Sequence, residues 1–270
     1  PEDATLDIDI SHVLASFETP YSKGKKKKNR AHNLFLGASK LNGTIIQPGA
    51  HFSFNDVVGP RTRQNGYRIA PVISQGEIVD GEAGGACQLS TTLFAAAFFA
   101  GLELVRSRPH SRPSPYIQLG LDAAVYYPTT DVQLSNPYDF PIVFHYRLTN
   151  NRVRVEILGK KRPWAKVALV REILKTTPHD TIERSDPKIP SGRRIVTQMG
   201  LPGYKVLRKR LFFKSRKTPI EEPDAEEKRK ISYPPTREII SIGTGPIDMD
   251  YEEPKEHVFP EVKDYYELSM

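Results

Sequence analysis

The sequence predicts an α+β fold: a mixed domain of antiparallel strands carrying a cysteine-bearing helix, followed by a second, small all-β domain. Three observations lead there. The 270 residues contain 23 prolines and 18 glycines, which demand many turns and short strands while 38% hydrophobic content still builds a core. Apolar residues fall at helical spacing in two stretches only, both before residue 103. Beyond Ala123 they alternate with polar ones, the period of half-buried strands.

Leu6, Ile8 and Ile10 alternate and run into Lys23, Lys25, Lys26, Lys27 and Lys28, so residues 1–28 read as an edge strand or arm followed by a basic linker. The first domain then covers residues 29–160. Apolar Leu34, Phe35, Ala38 and Leu41 follow helical spacing, and the Asn42-Gly43 turn ends the helix. Pro48-Gly49 and Gly59-Pro60 bracket Phe52 and Phe54, on a short strand or loop. A second helix follows Gly84-Gly85, through Leu89, Leu93, Phe94, Ala97, Phe98 and Leu102. Strands are expected over Ala123 to Tyr127, Ile142 to Leu148 and Val153 to Leu158, the last two joined as a hairpin across Thr149-Asn150-Asn151. Residues 161–247 form the all-β domain, with strands at Lys166 to Leu174, Arg194 to Met199 and Tyr204 to Phe213 and a charged loop at 220–230. Residues 248–270 read as an acidic tail, solvated or packed on the basic surface.

The net charge of +7 favours polyanionic partners. Aromatic residues are not interleaved with the basic ones in the manner that stacks bases, so no nucleic-acid partner is expected. No apolar run reaches the roughly 20 residues of a membrane span. The sequence starts at Pro1, consistent with removal of a leader or anchor upstream. One cysteine excludes an internal disulfide, and the seven histidines show no paired ligand spacing, so neither a metal nor another cofactor is expected. Phosphate-binding glycine loops and a serine-hydrolase elbow are absent as motifs.

Cys87 is placed at a helix N-terminus, where free backbone N–H groups and the helix dipole favour thiolate. Gly84 and Gly85 let backbone approach a substrate, and the N–H of Cys87 or Gln88 is a candidate oxyanion donor. His110 returns after one helix and one turn as the candidate base, with Asp122 beyond it to orient the imidazole. Ser90, Thr91 and Thr92 read as locally bonded helix residues or pocket lining.

Taken together, Arg30, Asn33, Leu41-Asn42-Gly43, Phe52-Ser53-Phe54-Asn55, Val58-Gly59-Pro60-Arg61-Thr62 and Gly84-Gly85-Ala86-Cys87-Gln88-Leu89-Ser90-Thr91-Thr92-Leu93 resemble the VanW family. His110-Ser111, Tyr116, Gly120 and Asp122-Ala123 follow in family order, while Ala50, Ala83 and Ala86 depart from its pattern. Residues 161–247 are similar, through Gly200, Gly203, Tyr233-Pro234 and Gly243-Thr244-Gly245, to the small glycine-containing wall-associated domain that often follows VanW domains. The resemblance implies an extracytoplasmic, cell-envelope or secreted protein acting on peptidoglycan stem peptides as a cysteine L,D-transpeptidase-like acyltransferase. It also brings Ser111 and Tyr116 into the substrate site beside Gly84, Gly85, Gln88 and Ser90. The alternative is a non-catalytic module that binds peptidoglycan or anionic wall polymer.

Overall fold

A 15-residue helix with almost no polar face organises the molecule. In the computed structural model, which describes residues 8–21, 28–74, 77–149, 151–248, 250–253, 259 and 261–270, this helix is buried along nearly its whole length. A helix apolar all round must be covered on every side. Here the cover comes from α1 (Lys28–Leu41), from strands of the amino-terminal half, and from strands late in the chain.

Naming the elements in chain order, β1 (His12–Pro20) and α1 precede β2 (Ile45–Ile46), β3 (His51–Ser53) and the short α2 (Phe54–Val58). The hairpin β4 (Ile69–Ser74) and β5 (Glu77–Glu82) leads into the buried helix, α3 (Ala86–Ala100), and then β6 (Glu103–Arg106) and β7 (Gln133–Ser135). Strands β8 (Ile142–Leu148) and β9 (Arg152–Gly159) form the expected hairpin. A four-stranded sheet of order β1-β9-β8-β2 backs α3, with Val153, Val155 and Ile157 pointing inward as their alternation requires. The amino-terminal edge strand therefore exists, but at 12–20; Ile8 and Ile10 precede it, and Leu6 and Lys23 to Lys27 lie outside the described residues.

The later strands are β10 (Lys166–Thr177), β11 (Thr181–Pro190), β12 (Arg194–Gln198), β13 (Gly203–Phe213), β14 (Ala225–Tyr233), β15 (Glu238–Gly245) and β16 (Tyr265–Ser269). They make one antiparallel sheet of order β14-β13-β10-β16 and a three-stranded sheet, β11-β15-β12, in which β11 and β15 run parallel. The architecture is thus mixed α+β with several antiparallel sheets and Cys87 inside a helix. Val167, Leu169 and Phe212 of the later sheet belong to the same hydrophobic cluster as α3, so both groups of strands share one core.

Three expectations are corrected. Ala123 to Tyr127 forms no strand but an extended segment pinned to α3, because Ser90 Oγ and Thr91 Oγ1 both donate to Ala123 O, at 2.7 and 3.2 Å. The charged stretch 220–230 becomes β14 from Ala225 on, since a strand at a sheet edge can leave its charged side chains in water while its backbone pairs with β13. The carboxyl-terminal segment is not wholly a solvated tail: β16 adds a strand to β10.

Candidate active site

The turn that delivers Cys87 is built by close packing. A Cβ on Gly84 would lie 2.6 Å from Pro71 O, and Gly85 adopts φ 120°, a left-handed conformation open to glycine. Ala83 before them also holds a positive φ, 59°. From α1, Asn33 Nδ2 donates to Gly84 O and Arg30 Nη2 donates to Gln88 Oε1, at 3.2 and 2.9 Å. Gly84, Gly85 and Gln88 are accounted for by this scaffold. Gln88 is buried, its amide donating to Thr19 Oγ1 and Pro20 O and its backbone N–H to Gly85 O. Ser90 is fully buried and bonded to Cys87 O and Ala123 O, so it fixes the turn against the Asp122-Ala123 segment. Among the described residues, no backbone carbonyl accepts from the Cys87 N–H, the first-turn donor left open at the helix start.

Cys87 is free and partly exposed, and its sulfur sits in a polar seat: Sγ–H donates to Val125 O at 3.4 Å and Val125 N–H donates back at 3.5 Å. Burial raises the thiol pKa, but the neighbouring His110, then Val125 N–H and the Arg61 guanidinium, together outweigh it and hold the thiol below its ordinary value.

His110 and Asp122 are both buried and paired. Asp122 Oδ2 accepts from His110 Nδ1 at 2.9 Å and from the His110 backbone N–H at 2.7 Å, fixing the ring through two bonds to one oxygen. With Nδ1 engaged, Nε2 is buried without a hydrogen-bond partner among the described residues, which leaves that nitrogen open towards the thiol side. Desolvation lowers the imidazole pKa; Tyr116, Asp122 and Cys87 outweigh it, so His110 titrates well above its ordinary value. Asp122 is likewise penalised by burial yet held below the usual carboxylate range by His110 and by Tyr233.

Tyr233, at the end of β14, donates its hydroxyl to Asp122 Oδ1 while accepting from Gly120 N–H at 2.8 Å. Sequence reading missed this role. The only signal was a lone Tyr-Pro far from Asp122, and register along β14 alone brings them together. Arg61, within the Val58-Gly59-Pro60-Arg61-Thr62 motif, is buried, donates to Asn55 Oδ1 at 2.9 Å and acts on the Cys87 charge.

The three groups open onto a cleft of about 540 Å³ between α3 and the later sheet, lined by Cys87, His110, Asp122 and Ser111. Arg208, Arg229 and Lys230 line it as well. Tyr116 meets His110 edge-on with centroids 6.4 Å apart but lines a different cleft, with Phe17, Tyr204 and Phe259. Among the described residues no cluster of His, Cys, Asp and Glu could hold a metal, and no helix is long and apolar enough to cross a membrane.

Residues 29–158 match the family described as VanW like protein. Over 138 residues the chain is 44% identical to an uncharacterized protein, YoaR, of Bacillus subtilis, covering 50% of this chain and 45% of that one. Over 144 residues it is 26% identical to vancomycin B-type resistance protein VanW of Enterococcus faecalis, covering 52% of each. The chain thus spans about half the length of the curated relatives it matches.

Proposed function

From a chain whose residues 29–158 form a VanW-family domain, we propose a cell-envelope, extracytoplasmic acyltransferase in which Cys87 is the nucleophile towards peptidoglycan stem peptides. The observation that carries this reading is the buried His110–Asp122 pair, Nδ1 to Oδ2 2.9 Å, with its other ring nitrogen unpartnered and the lowered thiol beside it. An imidazole oriented by a carboxylate and coupled to a thiol is the arrangement that nucleophilic catalysis needs.

In the proposed reaction the Cys87 thiolate attacks a peptide carbonyl and forms a C–S bond. The developing oxyanion takes the open Cys87 N–H, and His110 passes the proton to the departing amine as the C–N bond breaks. The thioester then yields its acyl group to an amine of a second stem: a C–N bond forms, the amine's proton returns to His110, and the C–S bond breaks to release the thiolate. Asp122 keeps the imidazole in its orientation and favours its protonated form. Ser111 lies on the rim of the cleft and Tyr116 behind His110, where both bear on substrate fit. Residues 161–247 serve as the wall-facing part, their basic strands towards anionic polymer.

The test is exchange of the terminal residue of a synthetic stem peptide, followed by mass. Cys87→Ala abolishes exchange and His110→Ala lowers it about 10²–10⁴-fold. Unchanged exchange by the Cys87→Ala protein would overturn the proposal and leave the wall-binding reading.

A further inference from the structure

We propose that the basic lining of the Cys87 cleft, Arg108, Arg229 and Lys230, is a subsite for a carboxylate of the acyl donor, so that the bond attacked lies beside a free chain end rather than within a chain. This rests on Cys87 being the nucleophile. The lining is basic without internal compensation. Arg108, Arg208, Arg229 and Lys230 line the cleft, and Asp122 is the one acidic residue among its described lining residues. That carboxylate is already engaged by His110 and Tyr233.

The four cations differ in what they are free to do. Arg208 is buried, donates to Gly120 O at 2.9 Å and stacks over Phe94 and Phe98, so it shapes the floor. Arg229 is exposed and bonds neutral partners only, Ser107 Oγ and Ser107 O, both at 2.9 Å. Both bonds lie along one edge of the fork and hold the guanidinium at the rim with its charge unneutralised. Arg108 and Lys230 are exposed, and among the described residues neither side chain has a hydrogen bond or ion pair.

Like charges gathered at one cleft repel, and they persist where an incoming anion relieves the repulsion. Burial, followed by Arg229 and Arg210, pushes the Arg208 pKa down to about 10. Solvent-accessible cations around a thiol place the anion at the substrate end nearest the attacked carbonyl. A carboxylate matches the planar Arg229 fork. An internal peptide bond presents no such charge.

The experiment compares second-order alkylation of Cys87 by iodoacetate, which carries a carboxylate, and by neutral iodoacetamide. The wild-type protein is expected to prefer iodoacetate, with saturation. The Arg229→Gln/Lys230→Gln protein loses that preference about tenfold, the size of a lost charge-assisted contact, and keeps its iodoacetamide rate. A Lys214→Gln/Lys217→Gln protein, changed outside the cleft, keeps the preference and so excludes an effect of overall charge. Equal rates for the two reagents in wild type, with iodoacetamide still fast, overturn the subsite alone. Slow reaction with both reagents overturns the nucleophile reading beneath it. Complete suppression of the iodoacetate reaction by millimolar inorganic phosphate, with N-acetylalanine inert, would make the lining a phosphate site and overturn the carboxylate assignment.

Discussion

Replacing Tyr233 with Phe removes one oxygen and leaves a ring of nearly the same volume, so the change isolates the hydroxyl. That hydroxyl donates to Asp122 Oδ1 and accepts from Gly120 N–H, and the whole side chain is 1% exposed. A hydrogen bond to a buried charged group contributes about 1.5–3 kcal/mol, and a buried N–H left without an acceptor costs about 1–3 kcal/mol. Partial rehydration from the adjacent cleft offsets some of this, so the variant is expected to lose about 2–4 kcal/mol. For a chain of this size that is a fall in Tm of roughly 5–12 °C by scanning calorimetry. Asp122 retains both bonds from His110, so the ring keeps its place, but the carboxylate is more readily protonated once a stabilising donor is gone. The acid limb of the activity profile should therefore move to higher pH while KM changes little. A folded Tyr233→Phe protein with Tm within 1 °C of wild type and an unmoved acid limb would refute the assignment of the hydroxyl to Asp122.

Further outcomes follow from the same geometry. Arg61→Gln takes away a charge that helps hold the Cys87 thiol down, so its alkylation profile against pH should move to higher pH with the fold retained; an unmoved profile would remove Arg61 from the site's electrostatics. Arg210 is buried and donates to Ala97 O, Phe98 O and Leu102 O at 3.1, 2.8 and 2.8 Å, so Arg210→Met should cost about 3 kcal/mol or more in urea denaturation. Asp122 is depressed in the folded state, so its contribution is present above the ordinary value of 3.8 and disappears as pH falls through the native value; Asp122→Asn should flatten that stretch of the Tm profile. His110 is raised, so its contribution is complete below the ordinary value of 6.5 and declines as pH climbs through the native one; His110→Ala should abolish that decline.

Periodicity made the helices and the β8–β9 hairpin legible, because Leu34, Ala38 and Leu41, and Phe144 and Tyr146, carry their burial in their own spacing. The motif around Cys87 likewise announced a helix start. What stayed hidden depends on pairing across the chain. Strand β14 reads as a loop because Glu226 to Lys230 are all exposed, and only the backbone of β13 makes them a strand. Tyr233 and Asp122 meet through that register, and no local property of either residue encodes the meeting. Ala123 to Tyr127 misled in the other direction: the backbone carbonyl of Ala123 accepts from the hydroxyls of Ser90 and Thr91 rather than from a neighbouring strand. Gly84 and Gly85 suit close backbone approach, yet the partners are Pro71 and Leu34 of the protein itself.

The two ends of α3 are secured by residues translated more than a hundred positions later. Arg210 caps its final carbonyls, and Tyr233 completes the carboxylate that steers the imidazole facing its first turn. A nascent chain that has reached only residue 158, the limit of the VanW-like match, holds the thiol, the imidazole and the carboxylate but neither fastening. The arrangement around Cys87 is therefore completed late in biosynthesis, when the last strands arrive, and residues 29–158 alone lack both fastenings.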